Sequence, residues 1–310
     1  NAERIGFPQS FTIYEPSDCK NLLKTIVKEL NLDDTKYKPA MLASRISYAK
    51  NCLVTPGAYL ANAGAAAEDR RMQIPEFGNI YNIYCARCKR NGAMDFDDLL
   101  LQTNILLRDC PDVTARYQEQ FKYILVDEYQ DTNALQERIF AALTAGGCHR
   151  FMVGDVKQSI YGFREACPEN FLEKRESYAP AEEGSFPAKI ALNANFRTRR
   201  EITGFTNRLF SRIMTQRTAG MDYLPEDELV SSLPYDYTIG RPVTALVINP
   251  PVGTPVADCR KMEAEQAAEE IGILLKAGFT VEENGGRRPV RPGDICILMR
   301  SAKNREQYYI

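Results

Sequence analysis

The chain has 310 residues, 44% hydrophobic and 26% charged, which excludes a mostly disordered polypeptide and allows about two cores. Its 39 Lys and Arg against 41 Asp and Glu give a formal charge of −2, so any DNA contact has to come from local geometry rather than bulk attraction. No apolar run approaches the ~18 residues that cross a bilayer, no signal peptide opens the sequence, and nine scattered cysteines beside a single histidine make no disulfide framework; a cytoplasmic protein without a membrane partner is expected.

Residues 1–93 read as a helical accessory subdomain. Pro16-Ser17-Asp18 is a start signal, after which Leu22, Leu23, Ile26, Val27 and Leu30 recur at helical spacing. A second helix is predicted over 40–50, Pro56-Gly57 breaks the pattern, and the Ala-rich stretch 59–67 predicts a short third. Phe77, Ile80, Tyr81, Tyr84 and Cys88 then line one side of a further helix. No strand alternation is visible here. Cys85 and Cys88 form one Cys-x-x-Cys without a second pair, and two thiols on a helix face explain it better than half a zinc site.

After Asn91-Gly92 the texture changes. Asp95 is placed to cap a helix carrying Phe96, Leu99, Leu100, Ile105 and Leu106, and Asp112 to cap the next. Tyr123-Ile124-Leu125-Val126 has the look of a strand buried on both faces, followed by a helix over 133–143. Further buried strands are predicted at 151–153, 190–192, 243–248 and 295–299, with helices over 199–214 and 262–276, the latter closed by Gly278. Strands alternating with helices argue for a parallel α/β sheet, and the Pro- and Gly-bearing stretch 179–187 is the best linker between two such units.

In such sheets ligands bind beyond the carboxyl ends of the strands. The first strand runs into Asp127-Glu128-Tyr129-Gln130-Asp131-Thr132-Asn133, where one carboxylate can hold a hard cation and its neighbour can take a proton from water; alternatively Asp131 and Thr132 cap the next helix and the acids solvate a loop end. The second ends in Gly154-Asp155-Val156-Lys157-Gln158-Ser159-Ile160-Tyr161-Gly162-Phe163-Arg164: Gln158 can sense a phosphate, and Phe163 with Arg164 can stack a base and hold its backbone. The third leads into Asn195-Phe196-Arg197-Thr198, where Arg197 can reach a phosphoryl group and Phe196 offers a face to a purine.

These three strings, in this order and strand context, with Met94-Asp95-Phe96-Asp97-Asp98-Leu99-Leu100 upstream, resemble the UvrD/Rep/PcrA family of superfamily 1 DNA helicases. Val156-Lys157-Gln158-Ser159, Pro168-Glu169-Asn170-Phe171-Leu172 and Asp294-Ile295-Cys296-Ile297-Leu298-Met299-Arg300-Ser301 look closest to its AddA/RecB branch of helicase–nuclease subunits. The resemblance implies parts of two RecA-like parallel-sheet domains, 94–184 and 185–310, behind the helical subdomain. It implies ATP and Mg²⁺ as cofactors, DNA and an AddB-like subunit as partners, and 3′-to-5′ movement in DNA end processing. By the same resemblance Asp127 holds Mg²⁺, Glu128 activates water, Gln158 couples the γ-phosphate to the DNA groove, and Arg197 contacts that phosphate. Phe196 stacks on adenine, and Phe163, Arg164 and Tyr161 serve DNA. The family often has tryptophan where Phe163 stands and tyrosine where Phe196 stands, so stacking survives and a ring hydrogen bond does not.

Gly-x-x-x-x-Gly-Lys-Ser/Thr, the loop whose amides cradle phosphates, is missing from the sequence. The expectation is therefore an internal piece of a longer helicase, inactive alone. Alternatives are a catalytically silent DNA-binding or scaffolding relative and, more remotely, a metal-dependent nuclease built on Asp127, Glu128, Asp131 and Asp155.

Overall fold

The computed structural model describes residues 1–232, 243–283, 286–299 and 305–308, and the chain divides into two compact units, Asn1–Lys189 and Ile190–Ile310. The architecture is mixed α/β, with short parallel strand pairs and a helical subdomain at the start of the first unit. Among the described residues no helix is long and apolar enough to cross a membrane.

The helical subdomain closes on itself. Helix α1 (Pro16–Glu29) starts at a proline whose missing N–H costs nothing there, while the Glu15 amide donates to the Asp18 carboxylate at 3.0 Å. Its Leu23, Ile26 and Val27 meet Leu42 and Ile46 of α2 (Pro39–Asn51). Phe77, Ile80, Tyr81 and Tyr84 of a later helix complete this core. The predicted helix over 59–67 is two: α3 (Pro56–Leu60) ends, and α4 (Ala63–Arg71) begins because Asn62 Oδ1 accepts from the amides of Gly64 and Ala65 at 2.9 and 3.1 Å. Helix α5 (Phe77–Arg90) carries Cys85 and Cys88, and burial pushes each thiol up to about 12, leaving them protonated and inert.

Two short strands, β1 (Thr12–Tyr14) and β2 (Ala93–Asp95), pair in parallel in a region whose pattern is otherwise helical. Three residues are too few to display alternation. Asp95 caps α6 (Phe96–Asp109), accepting from the Asp98 amide at 2.8 Å. Asp112 does not cap the next helix: Pro111 presets the first turn, so α7 (Pro111–Gln120) begins behind Cys110, and Asp112 pairs with Arg4 at 2.8 Å.

Strand β3 (Tyr123–Val126) and, beyond α8 (Ala134–Thr144), strand β4 (His149–Met152) pair in parallel from Tyr123↔His149 to Val126↔Met152. They are not buried on both faces: Tyr123 and Leu125 are 70% and 74% exposed, and Phe151 is exposed too. A two-stranded ladder offers each side chain too little neighbouring surface. Helix α9 (Glu169–Ser177) follows, and β5 (Ala179–Pro180) pairs in parallel with β6 (Ala188–Lys189).

In the second unit the predicted strands at 190–192, 243–248 and 295–299 are not strands. Most of their apolar residues stay uncovered, Leu298 at 91% exposed, and among the described residues no partner ladder joins them. Ladders form elsewhere, between β7 (Ala194–Asn195) and, beyond α10 (Arg200–Ile213) and α11 (Gln216–Ala219), β8 (Val230–Ser231). Helix α12 (Val256–Lys276) begins six residues before the apolar pattern at Met262 and is followed by Gly278 at φ +72°. After it, β9 (Thr280–Glu283) and β10 (Gly286–Pro289) pair antiparallel. Arg300 and Ser301 of the last motif lie outside the described residues.

Candidate nucleotide-hydrolysis site and DNA-facing cluster

The loop that leaves β3 is clamped at several points. The Val153 amide donates to the Val126 carbonyl at 2.8 Å and the Tyr129 amide to the Val153 carbonyl at 2.9 Å, so the two strand ends are stitched together past their ladder. Between these bonds Glu128 sits in the left-handed region, φ +49° and ψ +42°, which a residue with a Cβ enters at a cost of about 1–3 kcal/mol. Its side chain is exposed, as is that of Asp127, whose Oδ1 accepts from the Glu128 amide at 2.9 Å.

Gln130 and Tyr129 are what hold this conformation. Gln130 is fully buried; its Nε2 donates to Glu128 Oε2 at 2.6 Å and its Oε1 accepts from the Asp155 amide at 3.0 Å, joining the two strand-end loops through one side chain. A Cβ on Gly154 would collide with that Oε1, which is why glycine stands there. The Tyr129 hydroxyl donates to Glu137 at 2.5 Å, and Arg150 and Lys174 donate to the same carboxylate. Burial alone would raise the Glu137 carboxyl; the hydrogen bonds from Arg150, Tyr129 and Lys174 outweigh it and bring it down to about 2. Helix α8 is capped by Asn133, not by Asp131 or Thr132: its Oδ1 accepts from the Gln136 amide at 2.9 Å.

In the second loop Asp155 pairs with Lys157 at 2.8 Å and accepts from Gln158 Nε2 at 3.0 Å. Burial pushes Asp155 up, but these donors prevail and its carboxyl lies below the usual range. Gln158 itself is exposed, so the first unit gathers Asp127, Glu128 and Gln158 by way of Gln130 and Asp155. Among the described residues no group of three or more His, Cys, Asp or Glu could hold a metal, so Asp127, Glu128, Asp131 and Asp155 do not build a nuclease-type metal cluster.

Further along, Arg164 lies over the rings of Tyr161 and Phe163, 5.3 and 5.6 Å from their centroids, and the two rings are 5.7 Å apart. Phe163 is 75% exposed. An exposed ring beside a guanidinium can stack a base while the guanidinium donates hydrogen bonds to its phosphate. In the second unit Asn195 Oδ1 accepts from the amides of Arg197 and Thr198 at 3.0 and 2.7 Å, a turn that presents Phe196, 73% exposed, together with Arg197.

Three contributors were not singled out from sequence: Gln130, Gly154 and Asn133. The signal for Gln130 was a long amide in a strand-end loop beside two acids; for Gly154, a glycine at the second strand's end.

Residues 1–179 match the family described as "UvrD/REP helicase N-terminal domain". The chain is 38% identical over 207 residues to the ATP-dependent DNA helicase PcrA of Leuconostoc citreum, covering 67% of this chain and 26% of that protein. It is 36% identical over 221 residues to the ATP-dependent DNA helicase PcrA of Staphylococcus aureus strain Mu50, covering 71% of this chain and 29% of that protein. The chain thus spans under a third of the length of these curated relatives.

Proposed function

The chain belongs to the UvrD/REP helicase family by its N-terminal domain, and on that premise we propose that it is the water-activating and sensing part of a longer ATP-dependent DNA helicase, inactive by itself. The observation that carries this reading is the strained, exposed Glu128 held at a strand end by Gln130. A carboxylate kept in a costly backbone conformation and joined through Gln130 to the second loop is placed to take a proton from water when that loop moves. Asp127, a carboxylate at a parallel strand's carboxyl end oriented by the neighbouring amide, suits a hard cation held through water. ATP bound with Mg²⁺ supplies the phosphoanhydride that is cleaved.

Gln158 is the second loop's reporter, Phe196 the stacking face for adenine, and Arg197 the cation for the phosphoryl oxygens. Phe163, Arg164 and Tyr161 form the single-strand platform. The wording of Val156-Lys157-Gln158-Ser159 and of Pro168–Leu172 favours the AddA/RecB branch, hence a cytoplasmic helicase–nuclease subunit acting 3′-to-5′ on DNA ends with an AddB-like partner.

The decisive experiment is steady-state phosphate release by the longer protein with and without single-stranded DNA. Glu128→Gln, which keeps shape and removes the base, is expected to lower the DNA-stimulated rate by about 10²–10⁴-fold. The 310-residue chain is expected to release none. An undiminished rate in the variant, or turnover by this chain alone, rejects the assignment; a longer protein that binds DNA without hydrolysing ATP favours a silent scaffold.

A further inference from the structure

We propose that Asn51, the last residue of α2, is a positioning residue that ties the helical subdomain to the loop presenting Glu128. The proposal rests on the reading of Glu128 as the water-activating group, and it names a control point outside the two strand-end loops.

Asn51 and Asn133 are both buried and 82 positions apart, and Asn133 Nδ2 donates to Asn51 Oδ1 at 2.8 Å. Asn51 Nδ2 donates to Asp97 Oδ1 at 3.0 Å. The direction of this chain of bonds is forced. The Ser47 carbonyl, which only accepts, takes a second bond from Asn51 Nδ2 at 2.9 Å, so the Asn51 amide faces Ser47 and Asp97 and leaves its carbonyl oxygen for Asn133. Asn133 must then donate, which frees its own oxygen for the Gln136 amide that it caps. One buried amide thereby serves as helix cap and as tether.

Its position gives the tether leverage. The loop from Asp127 to Thr132 is fixed at one end by the strand-end bonds through Val153 and at the other by Asn133. Glu128 lies between, its left-handed backbone braced by Gln130 and Tyr129 in a loop anchored at both ends. On the far side α2 is itself immobilised: the Lys50 ammonium, beside Asn51, lies 2.6 Å from Asp95 and 2.7 Å from Asp98 at the start of α6. A displacement of α2 within this unit therefore acts directly on Asn133, at the end of the hydrolytic loop.

Two readouts test this. In the 310-residue chain, amide hydrogen exchange is followed at Asp131 and Thr132, whose amides donate to Glu128 and Tyr129 carbonyls. In the longer protein, kcat and KM for DNA-stimulated ATP hydrolysis are measured. Asn51→Ala removes both partners. Asn133→Asp keeps a good helix cap yet faces Asn51 with an acceptor. Adding Asp97→Asn to Asn133→Asp lets the bonds from position 97 through Asn51 to position 133 run in reverse, at the loss only of the Asn51 bond to the Ser47 carbonyl, which a merely structural cap would not notice. The expected result is about tenfold faster exchange and an about tenfold lower kcat in Asn51→Ala and Asn133→Asp, with KM held within about twofold and both readouts recovered in the paired variant. Unchanged exchange, faster exchange with unchanged kcat, or no recovery in the pair each overturn the proposal. Should the unsubstituted longer protein hydrolyse no ATP, the catalytic reading falls and takes the kcat half of this proposal with it, while exchange still decides whether the tether exists.

Discussion

The helical subdomain and the β3–β4 pair share one compact unit and dispose of their apolar residues in opposite ways. In the subdomain Leu23, Ile26, Leu42, Phe77, Ile80, Tyr81 and Tyr84 are all buried, and even a lysine is taken inside with its two carboxylates. In the strand pair Tyr123 and Leu125 of an equally apolar β3, and Phe151 of β4, face outward uncovered. An amphipathic helix needs one covered stripe, which a neighbouring helix supplies locally. A parallel strand needs cover on two faces, and that comes from elements far away in sequence. The same density of hydrophobic residues therefore predicts burial in one region and not in the other.

The comparison is broken most severely at Lys50. It is fully buried, and removing an ammonium from between two carboxylates leaves charges that burial cannot tolerate; burial already pushes Asp98 up to about 6 against the pull of Lys50. Lys50→Ala is expected to cost about 3–5 kcal/mol in urea unfolding of the helical subdomain. A loss below about 1 kcal/mol would mean that the subdomain is held by its apolar core alone.

Most of this contrast was legible in the sequence on the helical side only. Helices α1, α2 and α5 lie where Leu23, Ile26 and the Phe77-to-Cys88 stripe placed them, because a helix writes its partner face into its own spacing. Strand β3 falls on its apolar run, while β4 begins two residues before the run at 151–153 and ends one short of it, and the exposure of both depends on neighbours that no local pattern records. The residues 243–248 and 295–299 fail as strands for the same reason. At the candidate site, adjacent acids and an amide at strand ends singled out Asp127, Glu128 and Gln158. The left-handed backbone of Glu128 and the Asn51–Asn133 bond were not legible in the sequence, since the first is imposed by packing around Gln130 and the second joins residues with no spacing relation.

Acid separates the regions next. Glu137 anchors Tyr129, and its carboxyl falls from the usual 4.5 to about 2 on folding. A lowered carboxylate adds stability that is complete above its unfolded value and disappears as the folded form takes up the proton. Unfolding free energy of the α/β part is thus expected to fall by on the order of 1–3 kcal/mol between about pH 5 and pH 2, and Glu137→Gln is expected to flatten this dependence. A variant as acid-sensitive as the parent would place the titrating group elsewhere.

The smallest effect discriminates best. Leu125 is 74% exposed on β3, so Leu125→Ala in this chain removes few contacts and is expected to change stability by no more than about 0.5 kcal/mol. In the longer helicase proposed above, the same face has a covering element, and the same substitution is expected to cost about 2–5 kcal/mol there. Equal small costs in both would show that the strand face is exposed by nature, and the contrast between the two regions would then be one of architecture. A large cost already in the 310-residue chain would show that the face is covered in solution, and the contrast would disappear. Only a small cost here and a large one there ties the uncovered strands to a sheet completed by other parts of the protein.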